Sequence, residues 1–363
     1  CTSIPESVEF SVLTLKQLRA HAISLSLFPP MTLSAALERM AFVQADPIRS
    51  PARAQDLILR HRVEDYRAGD LERKYAELDI EEDVLYAYGF LPRAIWQLLQ
   101  PRHTASPTPF EKRILDAVKR SGETHPRELE PHFGRRRTVN AWGGYSAATT
   151  ETLERLRHRG LLRIARREKG VRIYEPARPF DASLTPKERL DRLVLITARI
   201  LAPAPEKTLR ATVARFRRWG NPRATVDALI RTGELARQAV DGIPYVWPAL
   251  QNVADNGASR VRLLAPFHPL VWDRNRLEPF WGWAYRFEAH TPPARRVRGY
   301  YAMPLLWGDA VIGWANVEVH DARLSGETGF VEKPPPGRHF RSELEREIES
   351  LKTFLNLSDK DDA

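Results

Sequence analysis

The chain has 363 residues, of which 43% are apolar and 28% are charged, so its composition excludes a disordered chain and is that of a globular protein. A chain of this length is long enough to bury a sizeable core and to form two to four domains. Its 56 lysine and arginine residues exceed its 46 acidic residues, and the net charge of +10 makes polyanions the leading class of partner.

The cysteine content and the apolar runs indicate the compartment. Cys1 is the only cysteine, which excludes an internal disulfide and a cysteine-based zinc site and favours a reducing environment. No run of about 18 apolar residues is present, so no membrane span is predicted. The first residues lack the basic and apolar regions of a signal peptide. We therefore expect a cytoplasmic protein, associated with the nucleoid.

Residues 1–105 predict an N-terminal unit that resembles a winged helix but is less regular. Residues 14–26 and 32–40 have the pattern of two helices, separated by Pro29 and Pro30. A short apolar segment follows at 41–46. Pro47 then predicts the start of another helix, with Asp46 as its N-cap.

Two later segments repeat one pattern. A helix ending at Gly160 precedes two short strands around Lys169 and Gly170, and a helix ending at Gly233 precedes two strands around Gly242. Further helices precede each of these segments, at 110–120, 125–133 and 146–159 and at 186–201, 207–219 and after Asn221. This order predicts winged helix-turn-helix domains at 106–182 and 183–255, although a helix followed by a hairpin is also a common packing module.

The last segment, 256–363, differs in amino-acid composition from the repeats. Aromatic and β-branched residues dominate 261–319, a proline-rich turn follows at 334–337, and 342–355 predicts a final helix. We therefore predict an α+β protein with three tandem winged helix-turn-helix domains, followed by a C-terminal mixed α/β domain that is rich in β structure.

Basic residues concentrate in and before the first repeat, where Leu162 and Ile164 alternate with Arg163 and predict a strand with a basic outer face. A basic helix and wing is typical of phosphate contact, and aromatic residues beside Gly143 and Gly144 could insert at a distorted base step. The alternatives are a solvated charged face and aromatic packing under a loop. The predicted DNA-binding residues are Arg49, Arg53, Arg135, Arg136, Arg137, Trp142, Tyr145, Arg163, Arg166, Arg167, Lys169 and Arg172.

The motifs of several large enzyme classes are absent from the sequence. It contains no P-loop, no dinucleotide-binding glycine fingerprint, no HExxH pair and no GxSxG segment. We therefore predict neither a metal site nor an organic cofactor.

Several segments together resemble one family, the AlkZ/YcaQ-like winged-helix DNA glycosylases, from about residue 14 to about residue 320. The resemblance implies three tandem winged helices and a C-terminal β-containing domain, and excision of alkylated purines, including cross-linked ones, from double-stranded DNA. The family's Gln-x-Gln or Gln-x-Asp motif falls on Gln44 and Asp46, which are the predicted catalytic residues. The segments that carry the resemblance are 42–48, 52–63, 142–145, 162–174, 263–276 and 299–309.

The chemistry suits these two residues. A purine alkylated at N7 or N3 is cationic and leaves readily, so the transition state places positive charge on the sugar. Asp46 would stabilise that charge and accept a proton from water, while Gln44, two residues away on an extended segment, would orient the water or contact the backbone. The alternative for Asp46 is helix capping alone. Because no lysine lies near the motif, we expect a monofunctional glycosylase without a lyase step. We also expect the protein to act as a monomer.

The sequence departs from the family at three positions. Gln55 and Tyr88 stand where many relatives have histidine, and His268 stands where relatives often have aspartate. A different lesion preference or a loss of activity would explain these changes. A winged-helix DNA-binding regulator without catalysis is the second hypothesis, and a protein-binding scaffold is the third.

Overall fold

A computed structural model describes residues 13–102, 105–134, 137–139, 145–180, 183–249 and 260–357 of an α+β protein. None of the helices in these ranges is long and apolar enough to cross a membrane. The helices α1 to α14 are Leu15–Ser26, Leu33–Met40, Ala54–Leu59, Asp70–Arg73, Arg93–Leu98, Pro109–Ser121, Glu130–Phe133, Ala148–His158, Pro186–Leu201, Glu206–Val213, Pro222–Arg231, Pro269–Trp272, Arg274–Trp281 and Arg338–Phe354. The strands β1 to β14 are Val43–Gln44, Ile80–Val84, Tyr88–Pro92, Arg137–Val139, Tyr145–Ala147, Leu162–Glu168, Val171–Pro176, Ala204–Pro205, Leu235–Val240, Ile243–Pro248, Val261–Leu263, Met303–Trp307, Ala310–His320 and Arg323–Phe330.

Local sequence sets the start of the principal helices. Thr14, Thr108 and Thr185 each form a capping box, in which the hydroxyl accepts an N–H of the first turn and a Gln or Glu side chain accepts the N–H of the threonine. Asn221 caps α11, and Pro222 occupies its first position. The helices predicted at 14–26, 110–120, 186–201 and after Asn221 are therefore present.

Both repeats have the predicted order of elements. Helices α6, α7 and α8 precede the β6–β7 hairpin, and helices α9, α10 and α11 precede the β9–β10 hairpin. Each hairpin gains a third extended piece, since Thr124 pairs with Tyr174 and β8 pairs with β10. In the N-terminal region β1, β3 and β2 likewise form a three-stranded antiparallel sheet.

The C-terminal region is built on a four-stranded antiparallel sheet with the order β11-β12-β13-β14. Helix α14 packs against β11, while α13 packs against β13. The predicted mixture of a sheet with a final helix is present.

The apolar cores cross the predicted domain boundaries. One core joins Leu57 of α3 with Leu153 of α8 and Met303 of β12. A second joins the N-terminal sheet to α9 and α11, and a third joins α1 to the β10 strand and to α13. Because residues far apart in sequence share each core, these units stabilise one another and do not each rest on a separate core.

Candidate active site

The segment from Gln44 to Asp46 is fixed by the pairing of β1 with β3. Gln44 lies opposite Gly89, and the Ala45 N–H donates to the Tyr88 carbonyl at 2.9 Å. A Cβ on residue 89 would lie 2.2 Å from the carbonyl oxygen of Val43, so only glycine allows β1 to approach this closely. The strand thus delivers Gln44 and, just beyond its end, Asp46 to a defined place.

The prediction that a helix begins at Pro47 is wrong. The Asp46 Oδ1 atom accepts the Ile48 N–H at 2.9 Å, an aspartate turn that diverts the chain from a helical path. Helix α3 begins only at Ala54. Asp46 therefore caps no helix, and the capping explanation for this residue is excluded.

Gln55, in the first turn of α3, positions the backbone of Asp46. Its Oε1 atom accepts the Asp46 N–H at 3.4 Å, and the residue is buried. Tyr88, at the other position where the family has histidine, lies in a different environment. Its hydroxyl donates to Glu82 and accepts from Arg172.

The C-terminal region supplies the electrostatic surroundings of Asp46. Burial raises the pKa of the Asp46 carboxyl above its ordinary value, while the Ile48 N–H and the charge of His290 act in the opposite direction. Tyr301 is buried, and its pKa is raised by burial and by the charge of Asp46. His290 and Tyr301, distant in sequence from the motif, thus lie within electrostatic reach of Asp46.

An aromatic cluster holds these two residues. Phe287 packs edge-on against Tyr301, with ring centroids 5.4 Å apart, and against His290 at 6.1 Å. Phe267 also packs against Phe287, with ring centroids 4.9 Å apart. The positions of His290 and Tyr301 are therefore set by packing.

Two polar atoms of this region are buried without a hydrogen-bond partner in the described part of the chain. They are the Oε1 of Gln44 and the hydroxyl of Tyr301. Buried polar groups are normally paired, so both atoms are suited to bind a water or a substrate group. A carboxylate with two such neighbouring groups has the composition of a hydrolytic site.

A polar and aromatic crevice of about 560 Å³ has Ser50 and Tyr301 in its lining. Its charged residues are Arg296, Arg298, Glu318 and Glu327, two of each sign. The Glu288 carboxylate shapes it by accepting the N–H groups of Val297 and Arg298, the latter at 2.7 Å. The Arg298 guanidinium lies over the ring of Trp283 at 4.9 Å, and that of Arg296 lies over Tyr300 at 5.1 Å. Cations stacked on rings beside a crevice suit a phosphate and a base.

The prediction that the first wing, the β6–β7 hairpin, has a basic outer face is wrong. Arg163 is 5% exposed, and its Nε donates to Glu81 of β2 at 3.0 Å while another of its nitrogens pairs with Glu175. Arg167 donates to Glu82 at 2.9 Å. The face is covered because β2 presents consecutive carboxylates to it, so Arg163 stabilises the fold and is unavailable to DNA.

The other predicted DNA-binding residues of the wing and of the N-terminal unit form two groups, those with carboxylate partners and those that are exposed. Arg172 pairs with Glu154 at 2.8 Å, Arg166 with Glu123 at 2.8 Å, and Arg53 with Glu72. Arg49 is exposed near Arg53, and Lys169 is exposed in the turn between β6 and β7. Arg49 and Lys169 thus remain the most accessible of this group.

The remaining predicted DNA-binding residues lie wholly or partly outside the described part of the chain. Arg135, Arg136 and Trp142 lie outside the described residues. Arg137 lies on β4 and Tyr145 on β5, which pair in antiparallel register, but their side chains are outside the description.

Sequence reasoning missed the C-terminal contribution to this site. His290, Tyr301 and the arginines of the crevice stand about 250 residues from the motif, and nothing local predicts their contact with it. The signal that was present is the segment 299–309, which resembles the family.

Comparison with known proteins gives two findings. Residues 37–354 match the sequence model of a family described as DNA glycosylase AlkZ-like. The fold is similar to that of the Streptomyces sahachiroi DNA glycosylase AlkZ, with a TM-score of 0.64 over 96% of this chain and 98% of that chain. The two sequences are 15% identical, so this likeness shows the fold alone.

Proposed function

The chain belongs to the AlkZ-like DNA glycosylase family, and from that premise we propose that it repairs double-stranded DNA by hydrolysing the N-glycosidic bond of alkylated purines. The observation that carries the proposal is the position of Asp46, the carboxylate of the Gln-x-Asp motif. It caps no helix, is half-buried, and lies within electrostatic reach of His290 and of the buried Tyr301.

Asp46 would act on the sugar side of the bond. As the bond between C1′ and the purine nitrogen breaks, the electron pair leaves with the cationic base and neutralises it, and positive charge develops on the sugar. The ionised carboxylate stabilises this charge, and then accepts a proton as the oxygen of water bonds to C1′. A pKa above the ordinary value makes the ionised Asp46 carboxylate a stronger base than a solvent-exposed aspartate.

Gln44 and the polar groups around it would position the water. The buried Oε1 of Gln44 can accept a hydrogen bond from water, and the Tyr301 hydroxyl can donate one to water or to the sugar. No lysine occurs between Gln44 and Lys74, so an amine-linked lyase step is not part of this mechanism. The enzyme is then monofunctional and needs no metal or organic cofactor.

DNA would lie across the crevice that Ser50 and Tyr301 line. Arg296 and Arg298 border the crevice, and Arg49 follows the motif. We interpret the three-stranded N-terminal region and the two repeats as three winged units that act together in a monomer. A cross-linked base in a distorted duplex would not require complete flipping.

Release of 7-methylguanine from methylated duplex DNA tests the proposal. Wild type should release the base, Asp46→Ala should not, and both should bind DNA with equal affinity. Asp79→Ala removes a carboxylate that is 65% exposed and serves as the matched control, with release unchanged. Tight, salt-sensitive binding by wild type without release of this base or a bulkier one would contradict the proposal and favour a DNA-binding regulator.

A further inference from the structure

A second cleft lies at the other end of α3 from Asp46. Gln55 in the first turn of this helix contacts Asp46, and Arg60 follows its last residue, roughly 8 Å farther along the axis. The cleft has a volume of about 540 Å³ and lies between the loop that contains Phe28, strand β11 and helix α14. We call it the Arg60 pocket.

The Arg60 pocket carries surplus positive charge. His61 lines it as well, and burial, followed by the charge of Arg60, lowers the pKa of His61 to about 4, so this ring is neutral at pH 7. Four arginines stand against two glutamates, which leaves two positive charges in excess. The charged residues that line the pocket are Arg60, Arg260, Arg262, Arg346, Glu343 and Glu347.

Both glutamates are already engaged by the protein. Glu347 accepts from Arg60, from the His61 Nε2 at 3.1 Å and from the Leu263 N–H at 2.7 Å. Glu343 pairs with Arg346. The carboxylates of the pocket are therefore not available to neutralise its other cations.

Arg260 and Arg262 are those other cations. In the described part of the chain, neither side chain has a hydrogen-bond or ion-pair partner. Burial lowers the pKa of Arg262, and the charges of Arg260 and Arg60 lower it further although the two glutamates oppose this. Like charges that are held together in this way favour the binding of an anion between them.

The floor of the pocket also contains unpaired donors. The Arg60 side chain is 2% exposed, and its Nε and Nη1 are buried without a partner in the described residues, although its Nη2 is bound. An unsatisfied buried N–H of a charged group is costly, and an anion in the pocket would satisfy both. This observation is independent of the charge surplus and leads to the same class of ligand.

We propose that the Arg60 pocket binds a phosphate group. A phosphate monoester carries a charge between −1.5 and −2 near pH 7, which matches the two surplus positive charges, whereas a carboxylate carries only one. The planar guanidinium donates two N–H groups in parallel to phosphate oxygens. The phosphate comes either from a small phosphorylated molecule or from the DNA backbone outside the candidate active site. A backbone phosphodiester carries one charge and would neutralise one of the two surplus cations, with the same bidentate arginine contacts.

Calorimetric titration of the full chain with inorganic phosphate tests the site. Wild type should bind one phosphate, and Arg262→Ala and Arg260→Ala should each raise Kd about tenfold, the effect of losing one charge-assisted hydrogen bond. Arg341→Ala removes an exposed arginine from α14 outside the pocket and is the matched control, with Kd unchanged. Arg60 is left intact because its loss would strand the buried Glu347.

Binding of undamaged duplex DNA identifies the source of the phosphate. If the backbone supplies it, Arg262→Ala lowers DNA affinity and reduces the salt dependence by about one phosphate contact, and inorganic phosphate competes with DNA. If a small molecule supplies it, phosphate binding weakens in Arg262→Ala while DNA affinity stays constant.

Three outcomes would overturn the proposal. The first is that neither phosphate binding nor DNA affinity differs between wild type and the two pocket variants. The second is an equal loss in Arg341→Ala, which would assign the effect to overall charge. The third is acetate binding as tight as phosphate binding, which would exclude a phosphate site. Base release by wild type does not enter these measurements, so the proposal stands or falls separately from the glycosylase activity.

Discussion

The side-chain amide of Gln55 holds the backbone of Asp46, since Gln55 Oε1 accepts the Asp46 N–H at 3.4 Å from the first turn of α3. Asp46 Oδ1 in turn accepts the Ile48 N–H at 2.9 Å. Asp46 is therefore held by two hydrogen bonds. Its backbone N–H donates to Gln55, and its carboxylate accepts from Ile48. Gln55 occupies a position where many relatives have histidine, and a histidine nitrogen could accept the same N–H.

The first prediction concerns Gln55 as a positioning residue. Gln55→Leu removes the acceptor and leaves the Asp46 N–H unpaired, so the rate of base release under single-turnover conditions should fall about 10- to 100-fold with DNA affinity unchanged. Gln55→His keeps an acceptor and should retain most of the rate. An equal loss in both variants, or a parallel loss of DNA affinity, would contradict a positioning role.

The second prediction concerns His290 and the pH profile. The positive charge of His290 lowers the pKa of Asp46, so His290→Phe, which keeps the ring contact with Phe287, should raise that pKa further above its ordinary value. Because the ionised carboxylate is the active form, the acidic limb of the rate profile should move to higher pH. His290→Lys keeps a positive charge and should leave the limb in place. A limb that is identical in the Phe and Lys variants would exclude this electrostatic effect.

The wing shows what the sequence could predict and what it could not. The alternation around Arg163 correctly predicts a strand, since the side-chain period is a local property. It does not reveal that the polar face packs against Glu81 and Glu82, because the partner strand lies about 80 residues earlier in the chain. The signal that was available is the run of three acidic residues at 81–83, flanked by apolar Ile80 and Val84, which predicts buried carboxylates that need basic partners.

The candidate site could likewise be predicted only in part from the sequence. Gln44 and Asp46 could be found by resemblance, but the helix expected after Pro47 is absent because the aspartate turn at Ile48 and the proline at Pro51 keep the chain irregular until Ala54. His290 and Tyr301 reach Asp46 only through the packing of the C-terminal aromatic cluster. Contacts of this kind depend on tertiary structure that no local pattern encodes.

The third prediction separates structural from DNA-binding cations in the wing. Arg163→Met breaks a buried ion pair and should lower the free energy of unfolding by about 3 kcal/mol, with little effect on DNA affinity per folded molecule. Lys169→Ala, at the exposed turn, should leave stability unchanged and reduce the salt dependence of DNA binding by about one contact. Urea denaturation and binding at several salt concentrations measure the two effects, and a reversal of roles would contradict this assignment.

The fourth prediction concerns acid stability. His21 is completely buried against Trp247, neither ring nitrogen has a hydrogen-bond partner in the described residues, and burial lowers its pKa from 6.5 to about 4. Between these values the unfolded chain binds a proton that the folded chain does not, so stability is lost as pH falls from 6.5 towards 4. The contribution of His21 to the loss between pH 7 and pH 5 should be about 2 kcal/mol. His61 and His268, whose pKa values burial also lowers, add to the total loss.

His21→Phe should lose about 2 kcal/mol less than wild type on acidification, because phenylalanine fills the site without titrating. His320→Phe changes a histidine that is 73% exposed and should leave the dependence unaltered. Denaturant unfolding at pH 7 and pH 5 measures the difference. If His21→Phe loses as much stability as wild type on acidification, the effect belongs to other groups.

The last prediction concerns Arg62, which is completely buried and has no carboxylate partner among the described residues. Its Nε donates to the Ser26 carbonyl, and another nitrogen contacts the Nε2 of the equally buried His268. Burial lowers the pKa of Arg62 to about 9, which reflects a cation without sufficient compensation. His268 also caps α12, since its Nδ1 accepts the Leu270 N–H at 3.1 Å.

Aspartate at position 268, the residue that relatives often have, would keep the cap and add a carboxylate for Arg62. His268→Asp should therefore raise the free energy of unfolding by about 2 kcal/mol, the contribution of a hydrogen bond to a charged group. His268→Asn supplies a cap of the same size without charge and should give no such gain. Because only the charge differs between the two variants, equal stability in urea would show that Arg62 is already compensated by the carbonyl groups around it, and lower stability of the Asp variant would show that the desolvation of a second charge exceeds the attraction.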